Sequence, residues 1–242
     1  MAIDFNGTVT RGFVNTASSN TLQNATAASL SIWCIQDAIG VTQTLAYVAT
    51  GTNVAAARIG HATTLITRRG TAIRVDGDAA TVISQAGGGF ANQLNHRLFT
   101  VDYQSRALRL YVNGVLGASG LMPTSGNTSN TPSLLSTFGA TNLGAGAYNN
   151  FMDGRLELVE VWNRVLSDVE ANNLFLAKGK LIIGSGLQSR WRLQELEPGA
   201  NFTDAGQADS GIQKNDGVAG TITLDCLYAQ WLATSRRARR SC

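Results

Sequence analysis

The stretch LFTVDYQSRALRLYVNG, residues 98–114, contains two short apolar runs, a polar connection between them and a turn at its end. The runs at 98–103 and 107–112 are rich in the aromatic and branched residues that favour β-strands. Asn113-Gly114 is the dipeptide most typical of a tight hairpin turn. The stretch therefore predicts two antiparallel strands, followed by a third that begins at Val115.

The same alternation of short apolar runs and turns continues in both directions from this hairpin. SLSIWCIQ, residues 29–36, is apolar on both faces at its centre, which is typical of a strand packed on two sides. Asp76-Gly77 predicts a hairpin between strands at 71–75 and 80–84, after a further strand at 64–68. Turns that recur about every 8 to 12 residues indicate an all-β sandwich or barrel.

One helix is predicted after the strand LELVEVW, residues 156–162. Ser167 is a favourable N-cap, and Glu170 stands three residues later, where it completes a capping box. Gly179 is the residue type that commonly ends a helix. We therefore expect a short helix near 168–177, whose residues Val169, Leu174 and Phe175 face the core.

The positive charge of the chain is concentrated at its end. Only 14% of the 242 residues are charged, and the net charge is +3. Without four terminal arginines, the remaining 15 basic groups nearly balance the 16 acidic groups. This distribution argues against a nucleic-acid-binding face, which needs basic residues along one surface. We expect a tail that contacts an acidic partner or a neighbouring subunit through Arg236, Arg237, Arg239 and Arg240.

Cysteine usage and apolar content exclude several other classes of protein. Cys34, Cys226 and Cys242 are odd in number and lack CxxC spacing, so a disulfide framework or a cysteine-type zinc site is not expected. The first residues lack the basic start and apolar run of a secretory signal. No apolar run reaches the 18 or so residues of a membrane span. We expect synthesis in a cytoplasm and no membrane partner.

Several blocks of sequence carry a resemblance to a known family. These are the central pair 98–103 and 108–114, the closing pair 153–157 and 161–167, and the shorter Phe5-Asn6-Gly7 and Ser31-Ile32-Trp33. In this order, over about residues 4–175, they resemble the LamG-like members of the concanavalin A-like lectin and glucanase family. The resemblance implies an all-β, two-sheet antiparallel jelly-roll sandwich with one short helix.

The resemblance also implies a division of the chain. It predicts a jelly-roll domain over residues 1–178 and a C-terminal extension over 179–242. The segment LQSRWRL, residues 187–193, resembles a strand that commonly precedes such domains, although here it follows the domain. We expect it to add an outer strand to the sandwich or to pack on a neighbouring subunit.

Some members of the family are glucanases, which need two carboxylates on one face of a groove. Glu157 and Glu160 are three residues apart and therefore point to opposite faces of a regular strand, where we interpret them as solvated charges. His61 and His96 lack a catalytic or metal-binding motif, and packing is the simpler interpretation of His96. The sequence therefore predicts a protein that is not an enzyme.

Two further sites follow from the resemblance, because jelly rolls of this kind often bind Ca²⁺ or glycans at the rim. Oxygen ligands for calcium are offered by Asp76, Asp78, Asn150 and Asp153. Turn formation is the alternative role of these residues. A glycan could stack on Tyr148 beside Asn149 and Asn150, with Asp76 nearby, whereas Trp33 and Trp162 are expected in the core.

The main functional prediction is a non-enzymatic bacteriophage virion protein, a capsid decoration or a tail or fibre component. A fold resembling extracellular adhesion modules, without a secretion signal, suits a protein that leaves the host cytoplasm by lysis. Other virion proteins and further copies of the chain are the expected partners, together with a cell-surface glycan at the rim. Mass spectrometry of purified particles tests this prediction. The alternative is a free carbohydrate-binding, lectin-like module, and a glycan-cleaving enzyme is the least favoured class.

Overall fold

Two antiparallel sheets packed face to face form most of the protein. The computed structural model describes residues 3–8, 12–14, 22–37, 41–49, 55–62, 67–86, 91–130, 136–144, 147–192, 201–202 and 212–214. The predicted jelly-roll sandwich is confirmed. Within these residues one α-helix, α1 (Asp168–Ala177), follows the closing strand, as the sequence predicts.

Sheet A has seven strands: β1 (Ile3–Asn6), β3 (Ala27–Gln36), β8 (Leu94–Asp102), β9 (Ala107–Val112), β10 (Val115–Leu121), β14 (Asp153–Trp162) and β15 (Leu187–Arg192). Their order is β1-β14-β3-β8-β9-β10, and β15 also pairs with β14. Both β1 and β15 lie along one edge of β14, since β1 pairs with residues 153–156 and β15 with residues 158–162.

Sheet B has eight strands: β2 (Gly12–Val14), β4 (Gln43–Ala49), β5 (Ala55–Ala62), β6 (Thr67–Ala72), β7 (Thr81–Gln85), β11 (Thr137–Phe138), β16 (Asn201–Phe202) and β17 (Ile212–Lys214). Their order is β16-β17-β2-β11-β4-β5-β6-β7. A separate hairpin is formed by β12 (Thr141–Gly144) and β13 (Ala147–Asn149).

The turns that the sequence predicts are present. Asn113 and Gly114 have φ angles of 51° and 79°, the left-handed conformation that a tight hairpin between β9 and β10 requires. The amide of Asp78 donates to the carbonyl of Val75 at 3.1 Å, which closes a turn around Asp76-Gly77. The predicted strands at 64–68 and 71–75 are wrong in their division. Residues 67–72 form one strand because residues 67–71 pair continuously with β5 and residues 68–72 with β7.

The main core lies between the two sheets, and glycine allows a close approach at its centre. A Cβ at Gly70 would overlap the ring of Phe99, so only glycine fits there. Trp191 of β15 is also buried in this core, where its ring meets Phe138 edge-on at a centroid distance of 5.2 Å. Sheet A supplies Leu30, Ile32, Phe99, Leu110 and Val159, and sheet B supplies Ala46, Val48, Ile59 and Phe138.

A second apolar cluster lies on the other face of sheet A, where α1 covers it. Trp162 is fully buried there, and its indole nitrogen donates to the carbonyl of Ile183 at 2.7 Å. Leu174 of α1 is buried, and Phe175 stacks on Trp33 at a centroid distance of 6.1 Å. The expectation that Val169 faces the core is wrong, since its side chain is 69% exposed.

The capping box predicted at the start of α1 is present. The amide of Glu170 donates to Ser167 Oγ at 3.3 Å, and the amide of Ser167 donates to Glu170 Oε2 at 2.9 Å. Arg164 donates to the same carboxylate at 3.0 Å, and this interaction lowers the pKa of Glu170 to about 2.

Replacing Ser167 by alanine is expected to lower the free energy of unfolding by about 1 kcal/mol, because an amide of the first turn loses its acceptor. Urea unfolding measures the change. Val169→Ala is the matched control: Val169 is exposed in the same turn, and alanine is the better helix former. Equal stability of Ser167→Ala and the control would contradict the role of the cap.

The predicted extension contributes strands to both sheets. β15 extends sheet A, and β16 and β17 lie at the edge of sheet B. The apolar run at 221–231 and the four arginines predicted to contact a partner, Arg236, Arg237, Arg239 and Arg240, lie outside the described residues.

Among the residues that the structure describes, no helix is both long enough and apolar enough to span a bilayer.

Candidate functional site

Three of the predicted glycan-binding residues lie together at the β12–β13 hairpin. Tyr148 is half-buried and Asn149 is exposed on β13. Asn150 follows with a φ angle of 53°, and its carbonyl accepts a hydrogen bond from the amide of Thr44 at 2.8 Å. Asp76 does not join them, because it lies in the turn between β6 and β7. The predicted site is therefore divided.

The four predicted calcium ligands lie in two separate places, Asp76 and Asp78 in one and Asn150 and Asp153 in the other. Asn150 lies beside Thr44 of β4. Across the sheet, Thr44 is paired with Gly60 of β5, and Gly60 is paired with Arg69 in the first half of β6. Asn150 is therefore level with the first half of β6. Asp76 and Asp78 follow the other end of β6. In the described ranges, no three His, Cys, Asp or Glu side chains are grouped so that they could hold a metal ion.

Asp78 and Asp153 each interact with other protein groups. The carboxylate of Asp78 is 3.0 Å from Arg74 Nε and accepts a hydrogen bond from Thr124 Oγ1 at 2.8 Å. These contacts stabilise the turn between β6 and β7. Burial, reinforced by the charge of Asp37, raises the pKa of Asp153. These contacts match the alternative role in turns that the sequence leaves open for Asp78.

Asp76 instead lies near a cationic patch on the outer face of sheet B. Burial raises the pKa of Tyr47 to about 12, and the nearby charge of Asp76 acts in the same direction. Arg58 donates to Thr71 Oγ1 at 3.4 Å, and burial lowers its pKa, as does the neighbouring charge of Arg69. Among the described residues neither arginine forms an ion pair with a carboxylate. We call Arg58 and Arg69 the arginine pair.

The carboxylates of the closing strand do not form a catalytic pair. Glu160 is 1% exposed, and its Oε1 accepts from Arg190 Nε at 2.8 Å across the β14–β15 pairing. The expectation that Glu160 is a solvated charge is therefore wrong. Burial raises the pKa of Glu157.

His96 is enclosed beneath α1 and cannot meet a substrate. Its Nε2 lies 2.9 Å from Ser31 Oγ, and its ring packs at 4.9 Å from Trp33. Burial lowers the pKa of His96 to about 3, so the ring is neutral near pH 7. This agrees with packing as its role. The side chain of His61 is outside the described part of the chain.

A polar cleft of about 460 Å³ lies where three separate segments meet at one end of the sandwich. The first segment, residues 23–26, leads into β3. The second ends at Asn130, and the third runs from the end of β14 to the start of β15. The cleft is lined by Gln23, Asn24, Ala25, Thr26, Asn130, Asn163 and Gln188. We call it the amide cleft, since five of these seven side chains are carboxamides.

Local hydrogen bonds hold the first wall of the amide cleft. Asn24 has a φ angle of 48°, and its amide donates to the carbonyl of Ser129 at 3.0 Å. Its Oδ1 accepts from Asn127 Nδ2 at 2.8 Å, and Gln23 Nε2 donates to the carbonyl of Asn130 at 3.1 Å. The segments around 24 and 130 are therefore fixed to each other.

The opposite wall is built on the connection between β14 and β15. The amide of Asn163 donates to the carbonyl of Gly186 at 2.9 Å, and Gln188 Nε2 donates to the same carbonyl at 3.3 Å. Gly186 has a φ angle of 75°, which suits glycine at this turn. Gln188 belongs to the predicted C-terminal extension, so the extension supplies part of the cleft.

The sequence does not reveal the amide cleft, because its residues belong to no local motif. Asn24, Asn163 and Gln188 meet only after β3, β14 and β15 have paired. A carboxamide both donates and accepts hydrogen bonds, as does a hydroxyl group. The arrangement is therefore suited to an uncharged ligand that carries several hydroxyl groups.

Solved structures with a similar fold include proteins that bind carbohydrate. A Bacteroides ovatus protein proposed to bind carbohydrate has a TM-score of 0.64 at 15% identity, over 93% of this chain and 61% of that one. The chain thus spans about three fifths of that protein. The CBM40 domain of a Ruminococcus gnavus IT-sialidase, bound to α2,3-sialyllactose, has a TM-score of 0.60 at 16% identity, over 72% and 96% of the two chains.

A further similar structure is the heptameric SAP-like pentraxin of Limulus polyphemus, with a TM-score of 0.61 at 14% identity, over 88% and 94% of the two chains. At these identities the likeness extends to the fold alone. No curated protein matches the chain. A Laminin G family model, described as "Concanavalin A-like lectin/glucanases superfamily", matches residues 7–172. The chain belongs to this superfamily.

Proposed function

We propose that the protein is a non-catalytic carbohydrate-binding module that binds a glycan in the amide cleft. The cleft itself carries the proposal: five carboxamides converge on a space of about 460 Å³. That volume lies within the range of roughly 300–1,000 Å³ that is common for ligand pockets. The similar structures support the class of ligand, since two of the three are associated with carbohydrate.

Several amide atoms are available to a ligand. Within the described residues, the side-chain amides of Asn130 and Asn163 make no hydrogen bond to the protein. Gln188 uses its nitrogen towards Gly186, which leaves its oxygen as an acceptor. Neighbouring sugar hydroxyls can therefore be bound from both walls, by groups that donate and groups that accept.

The absence of catalysis is part of the proposal. Glycoside hydrolysis commonly uses two carboxylates about 5 to 10 Å apart across the scissile bond. The described residues that line the amide cleft are uncharged, and Glu160, the buried acid of the closing strand, forms an ion pair with Arg190. These observations favour binding without bond cleavage.

The double substitution Asn163→Ala/Gln188→Ala is expected to weaken glycan binding about 10- to 100-fold. Each lost hydrogen bond contributes roughly 0.5–1.5 kcal/mol, and about 1.4 kcal/mol corresponds to a tenfold change in Kd. Isothermal titration calorimetry with the best ligand from a glycan array measures the change. Asn173→Ala removes an exposed amide from α1, away from the cleft, and is expected to leave the affinity unchanged. Equal affinities of the double variant and the wild type would contradict the proposal that the glycan binds in the amide cleft.

The virion placement predicted from the sequence stays a prediction, as do synthesis in a host cytoplasm and assembly with other copies of the chain. Carbohydrate binding is compatible with that placement and does not depend on it.

A further inference from the structure

We infer that the amide cleft selects uncharged glycans and discriminates against sialylated ones. This inference rests on the proposed function and specifies its class of ligand. The observation behind it is the lining: none of Gln23, Asn24, Ala25, Thr26, Asn130, Asn163 and Gln188 carries a charge.

Among the described residues, two arginines that neighbour the amide cleft already bind a carboxylate. Arg164 follows Asn163 directly, but its guanidinium binds the carboxylate of Glu170 at 3.0 Å and the carbonyl of Ser185 at 2.7 Å. Arg74, which donates to the carbonyl of Asn127 at 3.4 Å, forms an ion pair with Asp78. Both positive charges are therefore balanced by a carboxylate, and neither is left to attract an anionic sugar.

A carboxylate that entered the cleft would lose water without gaining a cationic partner. Burial of an ion is unfavourable unless it is paired, whereas burial of a hydroxyl is offset by a hydrogen bond to an amide. A sialylated glycan should therefore bind less tightly than the same glycan without its sialic acid. The R. gnavus CBM40 domain with a similar fold binds sialyllactose, so fold similarity alone would predict the opposite preference.

The arginine pair serves as a second, cationic surface with which the amide cleft can be compared. Arg58 and Arg69 lie on β5 and β6 of sheet B, whereas the amide cleft is built around β3, β14 and β15 of sheet A. The pair is a cationic surface, away from the amide cleft, on which an acidic glycan could bind. The two preferences can therefore be separated by substitutions in different sheets.

The experiment is a glycan array that carries neutral oligosaccharides of glucose, galactose, mannose and N-acetylhexosamines. Lactose and N-acetyllactosamine are included with their α2,3- and α2,6-sialylated forms. The wild type is compared with Asn163→Ala/Gln188→Ala and with Arg58→Gln/Arg69→Gln, and circular dichroism verifies that each variant is folded.

We expect binding to neutral glycans that falls at least tenfold on sialylation of the same core. The signal should be lost in the cleft variant and retained in the arginine variant. Binding confined to sialylated glycans and lost in the arginine variant would overturn the inference, while the protein would remain a carbohydrate-binding module. If the folded wild type binds no glycan on the array, the proposed function fails, and the inference fails with it.

Discussion

Replacing Glu160 by leucine is expected to lower the free energy of unfolding by about 3–5 kcal/mol. The Glu160–Arg190 pair joins β14 to β15, and both side chains are 1% exposed, with 2.8 Å between Oε1 and Nε. Removal of one partner from a buried ion pair is strongly destabilising, because the remaining charge loses its counterion where water is excluded. The carbonyl of Gly179 still accepts from Arg190 Nη2 at 2.7 Å, but a carbonyl does not neutralise the guanidinium. Leucine fills most of the space left by Glu160, so the loss of stability arises from the unneutralised guanidinium of Arg190.

The matched variant is Glu160→Leu/Arg190→Met, which removes both charges while it keeps the volume. This double variant is expected to recover most of the lost stability, because replacement of a buried pair by apolar residues is often neutral or stabilising. Urea unfolding of both single variants and the double variant gives the coupling free energy. A loss below about 1 kcal/mol in Glu160→Leu would contradict the burial of the pair.

The same cycle also tests the position of the C-terminal extension. Arg190 and Trp191 both belong to β15, and Gln188 on the same strand lines the amide cleft. If β15 is docked as described, disruption of the ion pair should weaken the wall of the cleft as well as the sandwich. Stability and binding are therefore linked through this strand.

Stability is also expected to fall as the pH is lowered from about 6.5 towards 4.5, because of His96. Burial lowers its pKa from 6.5 to about 3 in the folded protein. Between these values the unfolded chain binds one more proton than the folded one. Above pH 6.5, His96 is therefore neutral in both states and does not affect stability. Below pH 6.5, it lowers the free energy of unfolding by about 1.4 kcal/mol for each pH unit. Over two units the expected loss is about 3 kcal/mol.

His96→Gln is the variant that isolates this effect. Glutamine retains a polar group for Ser31 but does not titrate. Glu170, whose folded pKa is about 2, loses its contribution only below about pH 4.5, so the two windows are separate. Urea unfolding from about pH 7 to about 4.5 should give a steeper dependence for the wild type than for His96→Gln. Parallel curves would show that His96 is hydrated and titrates normally.

The sequence predicts those parts of the fold that depend on neighbouring residues. The turn at Asn113-Gly114 and the capping box of Ser167 and Glu170 are present because both depend on neighbouring residues. The turn depends on left-handed φ angles that these two residue types tolerate, and the capping box on hydrogen bonds between positions three residues apart. For β15 the sequence allows two outcomes, an outer strand of the sandwich or a contact with a neighbouring subunit, and the structure shows it paired with β14. Local pattern could not decide it, since both outcomes bury the same apolar face.

Contacts between distant segments cannot be predicted from local sequence patterns. The sequence favours a solvated Glu160, because Arg190 stands 30 residues later and reaches Glu160 only through strand pairing. The sequence places Asp76 and Asn150 together at the rim, whereas Asn150 lies beside Thr44 of β4 and Asp76 lies in the turn after β6. The amide cleft was not predicted, because single asparagines and glutamines in separate turns carry no signal before the strands assemble.

The central claim is that a glycan binds in the amide cleft, and a crystal structure with the strongest neutral ligand from the array tests it most directly. We predict sugar density between the two walls, with hydroxyl groups within hydrogen-bond distance of the Asn163 and Gln188 amides. Sugar density beside Arg58 and Arg69, or stacked on Tyr148, with the amide cleft occupied only by water, would contradict the claim.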